Sequence, residues 1–263
     1  MTKGPVVIES ENVSYAWAVA FNELVEAPAH EIVPLVVCMT GFDDGVARED
    51  QRIRAVLDAE LRAHHMQSIR TVASTIFPSS LWNPDHSPQD LFDRYSRVLP
   101  RLHRCPLNRN GIYFERMIRF QPKDAANSVN QLAYVLATRA QGNHRRSAYQ
   151  LSIIDPTRDH TNQRQRGFPC LQQVSISPIG DDELSVTGFY ATQTLFERAY
   201  GNYIGLCELG RFFARQWDLQ LTRVTCVTSV AKFDIHATEG RALAERAKTI
   251  MQDTQEAIMA NEG

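Results

Sequence analysis

Gln165-Arg166-Gly167-Phe168-Pro169-Cys170-Leu171-Gln172-Gln173-Val174-Ser175 is the stretch that decides how this chain folds. A cysteine directly after proline, at the mouth of a run alternating polar and apolar residues, has a fixed φ on its N-terminal side and a strand behind it. That is how a chain positions a nucleophile, and Cys170 is the candidate. Outward from it, Leu171–Ser177 and Leu184–Tyr190 read as strands joined by Pro178-Ile179-Gly180-Asp181-Asp182-Glu183, a hairpin of the longer kind. Phe196–Trp217 carries Tyr200, Tyr203, Ile204, Leu206, Cys207, Leu209, Phe212 and Phe213; apolar on most faces, it predicts a helix at the centre of the fold. Leu221–Val230 is β-branched and predicts a strand, and residues 238–260 predict a charged amphipathic helix.

Upstream, Ser14–Glu26 predicts a helix closed by Pro28, and Ile32–Met39 a buried strand. Arg48–Ile69 predicts one long helix with Ile53, Val56, Leu57 and Leu61 inward, and Gln89–Leu102 a short one. The Pro- and Ser-rich segment Phe77–Pro88 reads as a loop, with Trp82 as a packing anchor or, less simply, a ligand platform. Val129–Ala140 predicts a helix ended at Gly142-Asn143, and His144-Arg145-Arg146-Ser147 opens a strand that Asp155-Pro156 stops. A polar loop, Thr157–Arg166, delivers the chain to Cys170.

With 263 residues, 43% hydrophobic and 22% charged, the chain can bury a sizeable core, and a single domain over 1–263 is expected. A net charge of -2 gives no general basic field, so a nucleic-acid partner is not expected. No apolar run spans a bilayer and the N-terminus lacks a signal-peptide core, so a soluble, cytoplasmic protein without membrane partners is expected. Five cysteines without a C-x-x-C spacing argue against a disulfide framework and a zinc site. His64-His65 lies on a predicted helix, where adjacent residues diverge by about 100° and do not readily share one ion, so no metal site is expected.

Taken together, these pieces resemble the thymidylate synthase family, including its pyrimidine hydroxymethylase branch. Tyr113 followed by Arg119, then Asn130-Gln131-Leu132 opening a helix, is similar to that family's Tyr-Gly, arginine and Asp-Gln-Leu segment. Arg145-Arg146 resembles its Ser-Arg-Arg element, and Pro169-Cys170 with Gln173 its Pro-Cys-His element ahead of a strand. Asn202, 32 residues beyond Cys170, falls on the family's asparagine. The resemblance covers roughly residues 110–235. It implies an α+β fold in which a large mixed sheet packs with helices and one sheet face forms a homodimer. It further implies Cys170 as nucleophile, Asn202 reading a pyrimidine edge, Arg145 and Arg146 reaching across the dimer to a phosphate, and 5,10-methylenetetrahydrofolate as one-carbon donor.

The chemistry fits those residue types. A pyrimidine C5 becomes nucleophilic once a thiolate adds at C6, paired arginines bind phosphate bidentately, and an amide offers donor and acceptor to a base edge. The departures fit less simply. Leu171 follows the nucleophile where the family has histidine. Along Tyr190-Ala191-Thr192-Gln193-Thr194, Ala191 takes the place of a phosphate-binding arginine and Thr194 that of a folate-side aspartate. Arg198 stands near a family glycine, a cation able to refill the pocket. Ser68–Ser74 matches the helix that bears the family's catalytic glutamate but has no carboxylate, so Glu197, Tyr190 or a water chain would have to substitute. Ala231 and Phe233, with Lys232 between them, replace a ribose contact, and the C-terminal helix stands where the family has a short lid. Three functions remain open: one-carbon transfer to a pyrimidine nucleotide; related Cys170 chemistry on a non-standard nucleoside or base in a specialised pathway; and a non-catalytic dimeric nucleotide-binding protein.

Overall fold

A computed structural model describes residues 2–142, 144–160 and 168–262. Its N-terminal part holds β1 (Val6–Ser10), α1 (Val13–Val25), β2 (Glu31–Ile32), β3 (Leu35–Met39) and a small ribbon of β4 (Phe42–Asp43) and β5 (Val46–Ala47). Helices α2 (Gln51–Ala63), α3 (Ile69–Ile76), α4 (Pro88–Leu102), α5 (Tyr113–Ile118) and α6 (Gln131–Ala140) follow. Then come β6 (Gln150–Ser152), α7 (Pro156–Asp159), β7 (Leu171–Ile179), β8 (Glu183–Thr194), α8 (Tyr200–Trp217), β9 (Gln220–Lys232) and α9 (Ala237–Glu262). Short polar residues start the helices by taking up free backbone N–H groups: Asn12 for α1, Ser68 for α3, Ser87 before Pro88 for α4, and Asn130 for α6.

The molecule is α+β, with a large mixed sheet packed against helices. Seven strands run in the order β1-β3-β9-β8-β7-β6, with β2 also on β9. The β7–β8 pair is the antiparallel hairpin expected after Cys170, and β8 pairs in parallel with β9, the return being made by α8. Along β8, Leu184, Val186 and Tyr190 are buried under α8, whereas Phe189 is 40% exposed; on β1, Val7 is 73% exposed. One sheet face is thus sealed by helices and the other carries exposed apolar side chains. α8 is buried along most of its length, as its all-round apolar character predicts.

Three expectations are corrected. The helix expected over 48–69 is two helices: α2 stops at Ala63, His65 turns with φ 57°, and Ser68 starts α3 while Asp58 Oδ1 accepts the Ile69 N–H. The strand expected from His144 begins only at Gln150, because Arg146–Ala148 forms a single helical turn. The strand over 32–39 is divided at Val33-Pro34, where proline has no N–H to give the ladder. Trp82 packs edge-on against Phe77 and Phe212, beneath the Arg211 guanidinium, as an anchor. Within the expected polar loop, Pro156–Asp159 is a short helix; Gln165, Arg166 and Gly167, which open the stretch quoted at the start, lie outside the described residues. Among the described residues, no helix is long and apolar enough to cross a membrane.

Candidate active site

Cys170 sits at the entrance to β7, half-buried, on the wall of a cavity of about 400 Å³. Its turn is fixed from both sides. The Gln172 Nε2 donates to the Pro169 carbonyl at 2.6 Å, and the Ala191 N–H donates to the Cys170 carbonyl at 2.9 Å. Phe168 stacks on Tyr113 at 5.2 Å between ring centres, and the Arg116 guanidinium lies over the Phe168 ring at 5.3 Å. The Thr192 hydroxyl donates to the Cys170 Sγ at 3.6 Å.

Of the residues expected at a site, Cys170, Tyr113, Asn202 and Arg198 line this one cavity. Asn202, in the first turn of α8 directly after the π-helical segment Leu195–Ala199, is 4% exposed. Arg198 lies on that segment and is engaged by neighbours: it meets Glu197 at 2.7 Å and donates to Gln67 Oε1 at 2.6 Å. Such π-helical turns recur at functional sites because they re-aim side chains that a regular helix would stagger. Gln173, Arg145 and Arg146 are not part of the lining. Gln173 Nε2 donates to Gln150 Oε1 at 2.7 Å on the neighbouring strand, and both arginines are exposed on the turn before β6. Leu171, where the resemblance would have histidine, is fully buried.

The carboxylate among the described lining residues is Glu197, and α3 contributes Val72 and Thr75 to the wall, so the helix matched to the family's glutamate does reach the cavity, without an acid. Lys232 is a lining cation, half-buried, and no carboxylate of the described residues lies within ion-pair distance of it. Burial, with the Cys170 thiol next in importance, pushes the Tyr113 phenol up, so it is a protonated donor at neutral pH. Tyr190 and Tyr203, just behind, are also raised by burial, and their hydroxyls have no partner. Among the described residues, no group of three His, Cys, Asp or Glu side chains could hold a metal.

Sequence reasoning missed Gln193 and Thr192 as site residues. Gln193 is 3% exposed yet lines the cavity; its Oε1 accepts from Thr228 Oγ1 at 3.1 Å, and its Nε2 is buried without a partner. A buried unpaired N–H costs about 1–3 kcal/mol. The signal available was a large amide inside an otherwise small-residue strand end, Ala191-Thr192-Gln193-Thr194.

Asp234 supports the site from behind: its two carboxylate oxygens accept the N–H groups of Phe196 at 3.0 Å and Glu197 at 2.9 Å, fixing the segment that carries Arg198. Burial, the largest influence, pushes its pKa up to about 6. The folded protein therefore holds this proton more tightly than the unfolded chain. Its stabilising contribution is full below pH 3.8, is lost as pH rises through about 6, and is constant above. A tenfold change in proton affinity is worth about 1.4 kcal/mol, so at most about 3 kcal/mol is lost over that span. Asp234→Asn should flatten this part of the stability profile, measured by denaturant unfolding from pH 4 to 7; a slope equal to the wild type's would exclude Asp234 as the titrating group.

No family model matches this chain, and no curated protein matches it either.

Proposed function

We propose that the cavity binds a pyrimidine nucleotide or nucleoside and that Cys170 adds to its ring so that C5 can take up a one-carbon unit. The observation that carries this reading is the convergence of Cys170, Tyr113, Asn202 and Arg198, up to 89 residues apart in sequence, on one cavity of about 400 Å³. The volume suits a base and sugar. In the reaction, the Cys170 thiolate forms an Sγ–C6 bond as the C5–C6 π electrons move toward the C4 carbonyl. C5 then forms a C–C bond to the one-carbon unit as that unit's bond to its donor breaks; C5 loses its proton to a base, and the electron pair re-forms the C5–C6 double bond and expels the thiolate. Glu197 is the lining carboxylate able to accept that proton, a role worth about 10²–10⁴-fold. Asn202 holds the ring edge, and Tyr113, kept protonated, donates a hydrogen bond near the thiol.

The resemblance implies a reduced folate as donor. The lining offers it an apolar wall from Leu107, Ile112 and Phe168 and the Glu197 carboxylate for an N–H edge. When bound, such a folate would supply a methylene-level one-carbon unit, delivered as hydroxymethyl if water is taken up or as methyl if the folate ring also gives up a hydride. The thymidylate synthase-like fold and a homodimer through the uncovered sheet face belong to the same reading. Exposed Phe189 and Val7 on that face support it.

One observation favours a second reading, in which the acceptor is a nucleoside or free base. Arg198 is already occupied by Glu197 and Gln67, and Ala191 brings no charge, which leaves Lys232 as the cation for a phosphate within the described lining. The two readings separate by calorimetry. If Arg145 and Arg146 of a second copy meet the phosphate, Arg146→Ala should weaken binding of deoxyuridine monophosphate about tenfold and leave deoxyuridine unaffected. Equal affinity of the wild type for both ligands would favour the uncharged acceptor.

A further inference from the structure

The Gln193 amide is held at one end only. Its carbonyl oxygen accepts from Thr228 Oγ1 at 3.1 Å and from Cys226 Sγ at 3.7 Å, and both of those partners are almost completely buried. Burial keeps Cys226 a neutral S–H, so it remains a donor to that oxygen. The other end, Nε2, is buried and has no partner among the described residues, while Gln193 lines the Cys170 cavity together with Asn202. In the sheet Gln193 lies opposite Ala231 and Thr194 opposite Lys232, and Gln193, Thr194 and Lys232 all line the cavity. Among the described residues no such anchor holds the Asn202 side chain, and an amide that can rotate accepts either a donor or an acceptor from a ligand. An amide with its oxygen tied down presents only N–H.

We propose that Gln193 is a specificity-determining residue of this cavity: its Nε2 donates to an exocyclic carbonyl of the bound heterocycle, so the site takes an oxo-substituted, uracil-type ring over an amino-substituted, cytosine-type one. This rests on the pyrimidine reading above and narrows it. A fixed donor facing a ring amine places two N–H groups against each other and leaves both unpaired, whereas a ring carbonyl completes the one bond the protein leaves unmade. The unpartnered group is thus a recognition element kept in place by Thr228 and Cys226 rather than a packing fault.

The test uses the intact protein and two probes, deoxyuridine and deoxycytidine, with affinities read by calorimetry or ligand-induced melting shifts. The wild type should prefer deoxyuridine at least tenfold. Gln193→Glu, which replaces the donor with an acceptor of the same shape, should reverse or abolish that preference. Gln193→Met, which removes the donor without burying a charge, should weaken deoxyuridine binding at least tenfold while leaving the melting temperature of the free protein unchanged or higher. A residue serving structure alone would give the opposite pattern in Gln193→Met, with lowered melting and unchanged affinity. Binding of both nucleosides with a preference untouched by either substitution would overturn the role of Gln193 and leave the pyrimidine reading standing. Failure of the wild type to bind either nucleoside or their monophosphates would overturn both.

Discussion

Cys170→Ser should lower turnover of a pyrimidine nucleotide with methylenetetrahydrofolate by at least a thousandfold while the fold and ligand binding survive. The reason lies in the surroundings of the sulfur. Its hydrogen-bonding neighbour in the cavity wall, Thr192, is a donor at 3.6 Å, and the described lining offers Glu197 as its carboxylate, already joined to Arg198. A thiol is intrinsically the stronger nucleophile, whereas a serine hydroxyl needs an adjacent base to become one. Serine is close to cysteine in size, and Cys170 is half-buried at a strand entrance rather than deep in the core, so the substitution removes chemistry and not packing. Single-turnover kinetics and melting shifts on the same sample separate the two. A variant that still turns over excludes the covalent route. Iodoacetamide supplies an independent check, since rapid alkylation of Cys170 near neutral pH marks an activated thiol, and ordinary reactivity favours a binding protein that has lost its chemistry.

The second large effect is on stability. Gly205→Ala should destabilise the protein by about 2 kcal/mol, because α8 and α3 touch backbone to backbone at this point. A Cβ built on Gly205 would lie 2.8 Å from the Ala73 carbonyl oxygen and 2.9 Å from Ile76 Cβ, and one on Gly201 would lie 2.5 Å from Val72 Cβ. Neither obstacle is the flexible end of a long side chain, so the helices must separate. Overpacking of a close-packed interior costs typically 1–3 kcal/mol, and here it also moves Val72 and Thr75, which line the cavity. The helix propensity of alanine offsets only about 1 kcal/mol. Urea unfolding should show a lower midpoint with an unchanged slope. Gly4→Ala, where nothing lies within 4 Å of the new methyl, serves as the neutral comparison; Gly205→Ala matching it would mean that the two helices part at no cost.

Much of the architecture was legible from residue order because it rests on local rules. The alternation after Cys170 announced the β7–β8 hairpin, the β-branched run 221–230 announced β9, and the apolar character of 196–217 announced the central α8. The break between α2 and α3 was harder to read, since the apolar period continues through it. The decisive events are His65 in a left-handed turn and Ser68 capping a new helix. Likewise, Arg146 reads as a strand residue by its neighbours, yet it occupies a helical turn that leads directly into Tyr149, packed against Trp217.

For the site, the sequence by itself determined the candidate cysteine and its mounting, because proline, cysteine and an alternating strand act within a few residues of one another. It also determined that Asn202 rides on the central helix. Which side chains meet Cys170 was decided only by the tertiary structure. The parallel pairing of β8 with β9 sets Gln193 beside Ala231 and Thr194 beside Lys232, and a one-residue shift would turn these groups to the other face. The contact of α3 with α8 brings Val72 and Thr75 to a cavity whose other walls lie a hundred residues away. The physical reason is the range of the forces. Backbone dihedral preferences and capping act over three or four residues, whereas the register of the sheet and the closeness of α3 to α8 come from burying side chains that the chain order keeps far apart.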